Sequence, residues 1–232
     1  GRVSLKLVYL DGEGKLSSFD YISDFSEDIA NEAVIADMPC LVRASIVDSV
    51  SSIAGSEIKV QTVVELVPTV VEINTVELLE DGEGALALRE EQDYQKYLAT
   101  VSEEFEVGEE YACGARVDDV LLYDAKVVVC NVDNCDDKLT VSGQLEVSVI
   151  YSSEGVHATK NISLPFVQEL ATRGENLRAC IVAKIKDSRL VIEGDDSDNT
   201  LKMIICVTLQ GFVMQSQRTS AIIDLYSPTN AL

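Results

Sequence analysis

Gly1-Arg2-Val3-Ser4-Leu5-Lys6-Leu7-Val8-Tyr9 opens the chain, and Gly143-Gln144-Leu145-Glu146-Val147-Ser148-Val149-Ile150-Tyr151 restates it at an offset of 142. In each stretch a glycine precedes apolar residues at every second position, the period of a strand with one face on a core. Each runs on to a Glu-Gly pair, Glu13-Gly14 and Glu154-Gly155, and glycine supplies the positive φ that a tight hairpin turn needs. The first stretch therefore predicts a hairpin over residues 3 to 22. Residues 40 to 50 and 57 to 73, on either side of Ala54-Gly55-Ser56, predict a second antiparallel pair.

The correspondence continues outward from these strands. At an offset of 141, Asp24-Phe25 meets Pro165-Phe166; at 139, Ala44, Ile46, Asp48 and Ser49 meet Ala183, Ile185, Asp187 and Ser188; at 143, Ile58, Lys59, Val64 and Leu66 meet Leu201, Lys202, Val207 and Leu209. Offsets that drift only across turns indicate a duplicated unit whose loops absorb insertions. The expected fold is mainly β: tandem antiparallel sandwich-like repeats over residues 1–76 and 115–232, with a strand from Val117 to Val132 in the second. Residues 77–114 between them read as an acidic, partly helical connector. Over residues 77–110 it carries twelve acidic side chains against Arg89 and Lys96. Leu88, Tyr94, Tyr97 and Leu98 stand loosely at three- and four-residue spacing among good helix formers, which predicts a short helix within Leu86 to Leu98.

Composition narrows the function classes. The chain has 232 residues, 47% of them hydrophobic, enough to build one large or two modest cores. Its 18 basic and 40 acidic residues give a net charge of −22, which repels phosphate backbones and anionic lipid surfaces, so nucleic acid is not an expected partner. The most apolar stretch, Val60 to Val71, is interrupted by Gln61, Glu65 and Pro68, so no membrane span is expected. No leader pattern precedes Val3, and the chain reads as part of a longer polypeptide. Six cysteines contain no Cys-x-x-Cys pair; thiolate metal binding is not expected, and a reducing compartment is. Cys40, Cys180 and Cys206 lie among strand-like apolar residues and are expected to be buried thiols. Cys130 and Cys135 could close a small loop if oxidised.

The strand Val141 to Tyr151, Pro165-Phe166, Asp224-Leu225-Tyr226-Ser227 and the lead-in Asp136-Asp137-Lys138-Leu139-Thr140-Val141-Ser142-Gly143 together resemble the SPOCS domain of spore-coat morphogenetic proteins in spore-forming Firmicutes. Gly1 to Tyr9 is similar to the same strand in a preceding copy without its lead-in, where Asp24 stands in place of the proline. The resemblance covers residues 1 to 74 and 115 to 227. It implies a β-rich adaptor that brings coat proteins to the developing spore surface, on the cytoplasmic, mother-cell side. A LysM peptidoglycan-binding module, which often follows such repeats, is not read before Leu232.

No catalytic device is signalled. His157 is the one histidine, and a nucleophile needs a positioned base beside it. Absence of Trp leaves little for sugar stacking. The clusters Asp133, Asp136, Asp137 and Asp195, Asp196, Asp198 lack the ligand alternation of an EF-hand and read as solvated turns, with calcium as the alternative. Asp11-Gly12-Glu13-Gly14 and Glu80-Asp81-Gly82-Glu83-Gly84 set acids beside their glycines and read as turns, since an anion would be repelled there. The expected activity is non-enzymatic, with no cofactor or metal, and the expected partners are other proteins of the coat or envelope. Two groups are candidate partner-binding residues. Glu103, Glu104, Glu106, Glu109 and Glu110 could steer a basic surface, or simply solvate the connector. Ile222, Ile223 and Tyr226 could meet a partner strand, or pack internally. The rival function is an extracellular, envelope-associated domain that binds a glycan or secreted ligand.

Overall fold

The computed structural model describes residues 1–79, 86–135, 137–195 and 198–226, and among them the regular structure is entirely β. Ten strands follow in order: β1 Arg2–Leu10, β2 Leu16–Asp24, β3 Cys40–Ala54, β4 Glu57–Val70, β5 Leu86–Ala112, β6 Asp119–Cys135, β7 Lys138–Ser153, β8 Val156–Arg173, β9 Leu177–Asp195 and β10 Asp198–Tyr226. They form two two-stranded sheets, β1-β2 and β3-β4, and two three-stranded sheets, β6-β7-β8 and β5-β10-β9.

The chain divides into two compact units, one of residues 1–29 and 101–211, the other of residues 30–100 and 212–232. In the first, β7 is the centre of its sheet, and alternation decides its burial. Leu139, Val141, Leu145, Val147 and Val149 are at most 1% exposed, and so are Leu201, Met203, Ile205, Val207 and Leu209 of β10. These two inner faces form the core of a sandwich. The rings of Phe105 on β5 and Phe166 on β8 meet with centroids 5.2 Å apart and tilted by 47°, an aromatic contact between the two sheets.

Hairpin turns follow the expected chemistry. Between β7 and β8, Glu154 and Gly155 both take positive φ, 51° and 76°, the signature of a two-residue type I′ connection. Between β1 and β2, Asp11 Oδ1 accepts hydrogen bonds from the backbone N–H groups of Glu13 and Lys15, both at 2.9 Å, and Gly14 takes the positive φ. Those two bonds hold the Asp11 carboxyl below its ordinary pKa.

The paired hairpins share one register. Arg2 stands opposite Asp24 and Gln144 opposite Pro165; Leu10 stands opposite Leu16 and Ser152 opposite His157. The offsets of 142 and 141 read from the sequence reproduce each of these pairs. A side chain on Gly1 would sit 2.4 Å from the Phe25 ring, and one on Gly143 would sit 2.4 Å from the Phe166 ring. Each glycine thus makes room for the aromatic ring of the neighbouring strand.

In the second unit, β3 and β4 pair from Cys40↔Val70 to Ala54↔Glu57, with a bulge between Ile46 and Asp48. The first half of β5 lies beside the last part of β10. Arg218 makes a two-bond ion pair with Asp93 at 2.7 and 3.2 Å, Gln95 Nε2 donates to Ser216 Oγ at 2.9 Å, and Tyr94 donates to Gln217.

Two expectations are corrected. The helix predicted within Leu86 to Leu98 is instead the first half of β5. Its apolar spacing was too sparse to fix a helical face, and cross-strand partners on β10 override a weak local propensity. The cysteines expected to be buried are not: Cys40 and Cys180 are exposed and Cys206 is half-buried. Both Cys130 and Cys135 belong to β6; five residues of extended chain separate them by roughly 16 Å, beyond the reach of a disulfide.

Candidate interaction surfaces

The acidic candidates Glu103, Glu104, Glu106, Glu109 and Glu110 all lie on the second half of β5. Alternation sets Glu104, Glu106 and Glu110 on one side of the strand, while Glu103 and Glu109 share the side of Phe105 and Val107. Part of this charge is compensated within the same sheet. Lys186 on β9 reaches across the central strand β10 to Glu104 Oε2 at 2.6 Å. Lys202 on β10 lies between Glu110 on one neighbour, 3.4 Å, and Glu193 on the other, 3.6 Å. Donating a hydrogen bond to Glu104 raises the Lys186 pKa, and donating one to Glu110 raises that of Lys202. These are solvent-exposed pairs, which orient side chains and contribute little stability. Glu103, Glu106 and Glu109 make no ion pair among the described residues.

The apolar candidates occupy the end of β10. Ala221 is buried, Ile222 half-buried, and Ile223 and Tyr226 are each 53% exposed. Interaction with Asp224 raises the Tyr226 phenol pKa. This group falls in the unit of residues 30–100 and 212–232, whereas the glutamates fall in the other unit.

His157 stands opposite Ser152 on β8, an exposed position on the edge strand of its sheet. Near the other end of that sheet, Asn134, Asp137, Glu175, Asn176 and Leu177 line an open depression of about 400 Å³. Its polar groups tie two turns together: Asn134 Nδ2 donates to the Gly174 carbonyl at 3.3 Å, and the Gly174 N–H donates to the Asp137 carbonyl at 3.1 Å. Asp133 accepts from Asn131 Nδ2 at 2.7 Å. No group of three or more His, Cys, Asp or Glu with metal-binding geometry occurs among the described residues. Asp136, Asp196 and Ser227, the side chains of Asp195 and Asp198, and residues 80–84, where a turn is expected, lie outside the described residues. Likewise, no described helix is long and apolar enough to cross a membrane.

A surface that the sequence did not single out lies on the first hairpin. Phe19, Tyr21 and Ile22 of β2 are each more than half exposed, and none of β1's residues is buried. At the offset of 141 these positions align with Lys160, Ile162 and Ser163 of β8, so the aromatic and apolar residues that stand at the two polar positions were the signal in the sequence.

Residues 116–193, about a third of the chain, match the family model described as SipL, SPOCS domain. The matched segment runs from just before β6 through β7 and β8 and almost to the end of β9. No curated protein and no solved structure matches the chain.

Proposed function

From the premise that residues 116–193 are a SPOCS domain, a sporulation-related module, we propose that the chain is a non-enzymatic interaction module in assembly of the spore coat or spore envelope. The family match carries this reading. Physical features agree with it. The conspicuous exposed features are acidic strands and apolar hairpin faces, the elements by which β domains meet other proteins. On this reading the partners are coat or envelope proteins and the module works on the mother-cell side of the forming spore.

The test is a quantitative pull-down with the 232-residue chain as bait, from sporulating cells and from cells growing vegetatively. Enrichment of coat or envelope proteins from the sporulating extract alone is the expected outcome. Equal recovery from both extracts, or enrichment of glycan or secreted ligands in their place, would overturn it. The acidic strand adds a second readout: if β5 steers a basic partner, affinity falls steeply between low and high salt.

A further inference from the structure

The outward face of the sheet β5-β10-β9 sets two rows of opposite charge on either side of its central strand. On β10, Leu201, Met203, Ile205, Val207 and Leu209 face the sandwich core, so Lys202, Ile204, Cys206, Thr208 and Gln210 face outward. Beside them on β5 runs an acidic row, Glu104, Glu106 and Glu110. On the other side, β9 supplies a basic row. Lys184 donates to Gln210 at 2.9 Å, and Lys186 reaches across β10 to Glu104 at 2.6 Å. Arg189, held by Asp187 at 3.0 Å, completes the row, because counting back by twos from Glu193, which meets Lys202, arrives at it. Acids and bases nearly balance on this face, on a chain whose net charge is −22. Two copies of the chain therefore repel least across it.

The same face holds a polar group without a partner. Thr208 is 3% exposed, and its Oγ1 makes no hydrogen bond. The ion pair accounts for its burial. Glu110 meets Lys202, and counting by twos along the antiparallel strands sets Glu104 beside Thr208. The Lys186 side chain that reaches Glu104 thus lies over the threonine. A buried hydroxyl left unbonded is destabilising, so the pair that neutralises two charges leaves their neighbour unsatisfied.

We propose that this face pairs with the same face of a second copy, about a twofold axis that runs along β10. That operation lays the acidic row of each copy over the basic row of the other, whereas an axis across the strands would lay acid over acid. Self-complementarity names the occupant: a second copy carries both rows at the same separation and in the matching order. The axis also sets each outward residue of β10 opposite its own counterpart. Lys186, drawn to the acids of the second copy, uncovers Thr208, and the two threonine hydroxyls meet as donor and acceptor, directly or through one water. Cys206 stands opposite the second copy's Cys206. The area is small. Three strands about 4.8 Å apart over a length of roughly 27 Å give about 400 Å² of sheet on each copy, the size of a weak, reversible contact. This inference goes beyond the assembly reading and does not rest on it.

The experiment is sedimentation equilibrium of the 232-residue chain up to about 1 mM, where a reversible monomer–dimer equilibrium is expected. Glu104→Lys and Lys186→Glu should each weaken self-association by about tenfold or more, and an equimolar mixture of the two variants should recover it. Each variant has lost the pair inside the chain, and mixing cannot restore that pair, so recovery reports a contact between chains. An unchanged circular dichroism spectrum shows that both variants fold. A second measurement fixes the axis: in a chain whose other five cysteines are replaced by serine, a short bismaleimide should join two copies through Cys206, and adding Glu104→Lys should abolish the product. Absence of dimer at the highest concentration, equal association by the parent and both variants, or no recovery on mixing overturns the proposal. So does a dimer of the natural chain that crosslinks through its other cysteines and not through Cys206.

Discussion

Two hairpins, β1–β2 and β7–β8, carry one alternating pattern in one register and end up in different surroundings. Tyr151 is 9% exposed and its counterpart Tyr9 is 37% exposed; Val147 and Val149 are sealed where Leu5 and Leu7 are half-buried. The pattern fixes that a strand forms and which face turns inward. How much that face stabilises depends on how many neighbours cover it, which is a property of the sheet and not of the strand. β7 is central, between β6 and β8, with its inner face in the sandwich core; β1 has β2 and an open side.

Truncation in the two hairpins is the most forceful way to break this comparison. Leu145→Ala removes a side chain with no exposure and should cost about 2–5 kcal/mol in denaturant unfolding, whereas Leu5→Ala should cost under about 1 kcal/mol. Equal losses would show that the hairpins are equally supported. A smaller effect is expected at the paired glycines. Gly143→Ala forces a methyl against the Val128 carbonyl and the Phe166 ring and should cost about 1–3 kcal/mol. At Gly1→Ala the obstruction is the Phe25 side chain alone, which can swing aside, so the melting temperature should hardly move.

Much of this was legible in residue order. Alternation gave the hairpins, Glu-Gly gave their turns, and constant offsets gave the shared register, because strand period and turn stereochemistry are local properties. Leu86 to Leu98 was misread because its strand character comes from Asp93 meeting Arg218 and Gln95 meeting Ser216, partners more than a hundred residues away that leave no local mark. The acidic group on β5 could be seen as charge, but not as a strand edge whose Glu104 and Glu110 face lysines of the same sheet. Nor could burial of cysteines be read from apolar neighbours, since alternation puts Cys180 on the opposite face from the residues beside it. Thiol chemistry checks that part: alkylation followed by mass analysis should label all six cysteines under non-reducing conditions, and a Cys130–Cys135 bridge would contradict the extended geometry of β6.

Titration gives the finest contrast. The position of Pro165 on β8 is held on β2 by Asp24, whose carboxylate lies 2.8 Å from Arg2. The hydrogen bond and charge of Arg2 lower the Asp24 pKa, so its contribution is present above the ordinary carboxylate value of about 3.9 and is lost as pH falls through the lower folded value. Asp93, lowered by its hydrogen bond to Arg218, follows the same sign. Carboxyl NMR titration should find Asp24 below its ordinary value in the native chain and returned to it in Arg2→Gln, with little change in overall stability, because both side chains are well exposed.

The central claim, one hairpin closed on both sides and its counterpart closed on one, is tested most directly by amide exchange in the unliganded chain. Along β7, consecutive amides from Leu145 to Val149 should all exchange slowly. Along β1, exchange should alternate, slow at Val3, Leu5 and Leu7 and fast at Ser4, Lys6 and Val8. Uniformly slow exchange on β1 at every protein concentration would contradict the account, because it would mean that its outer edge is already paired within the chain.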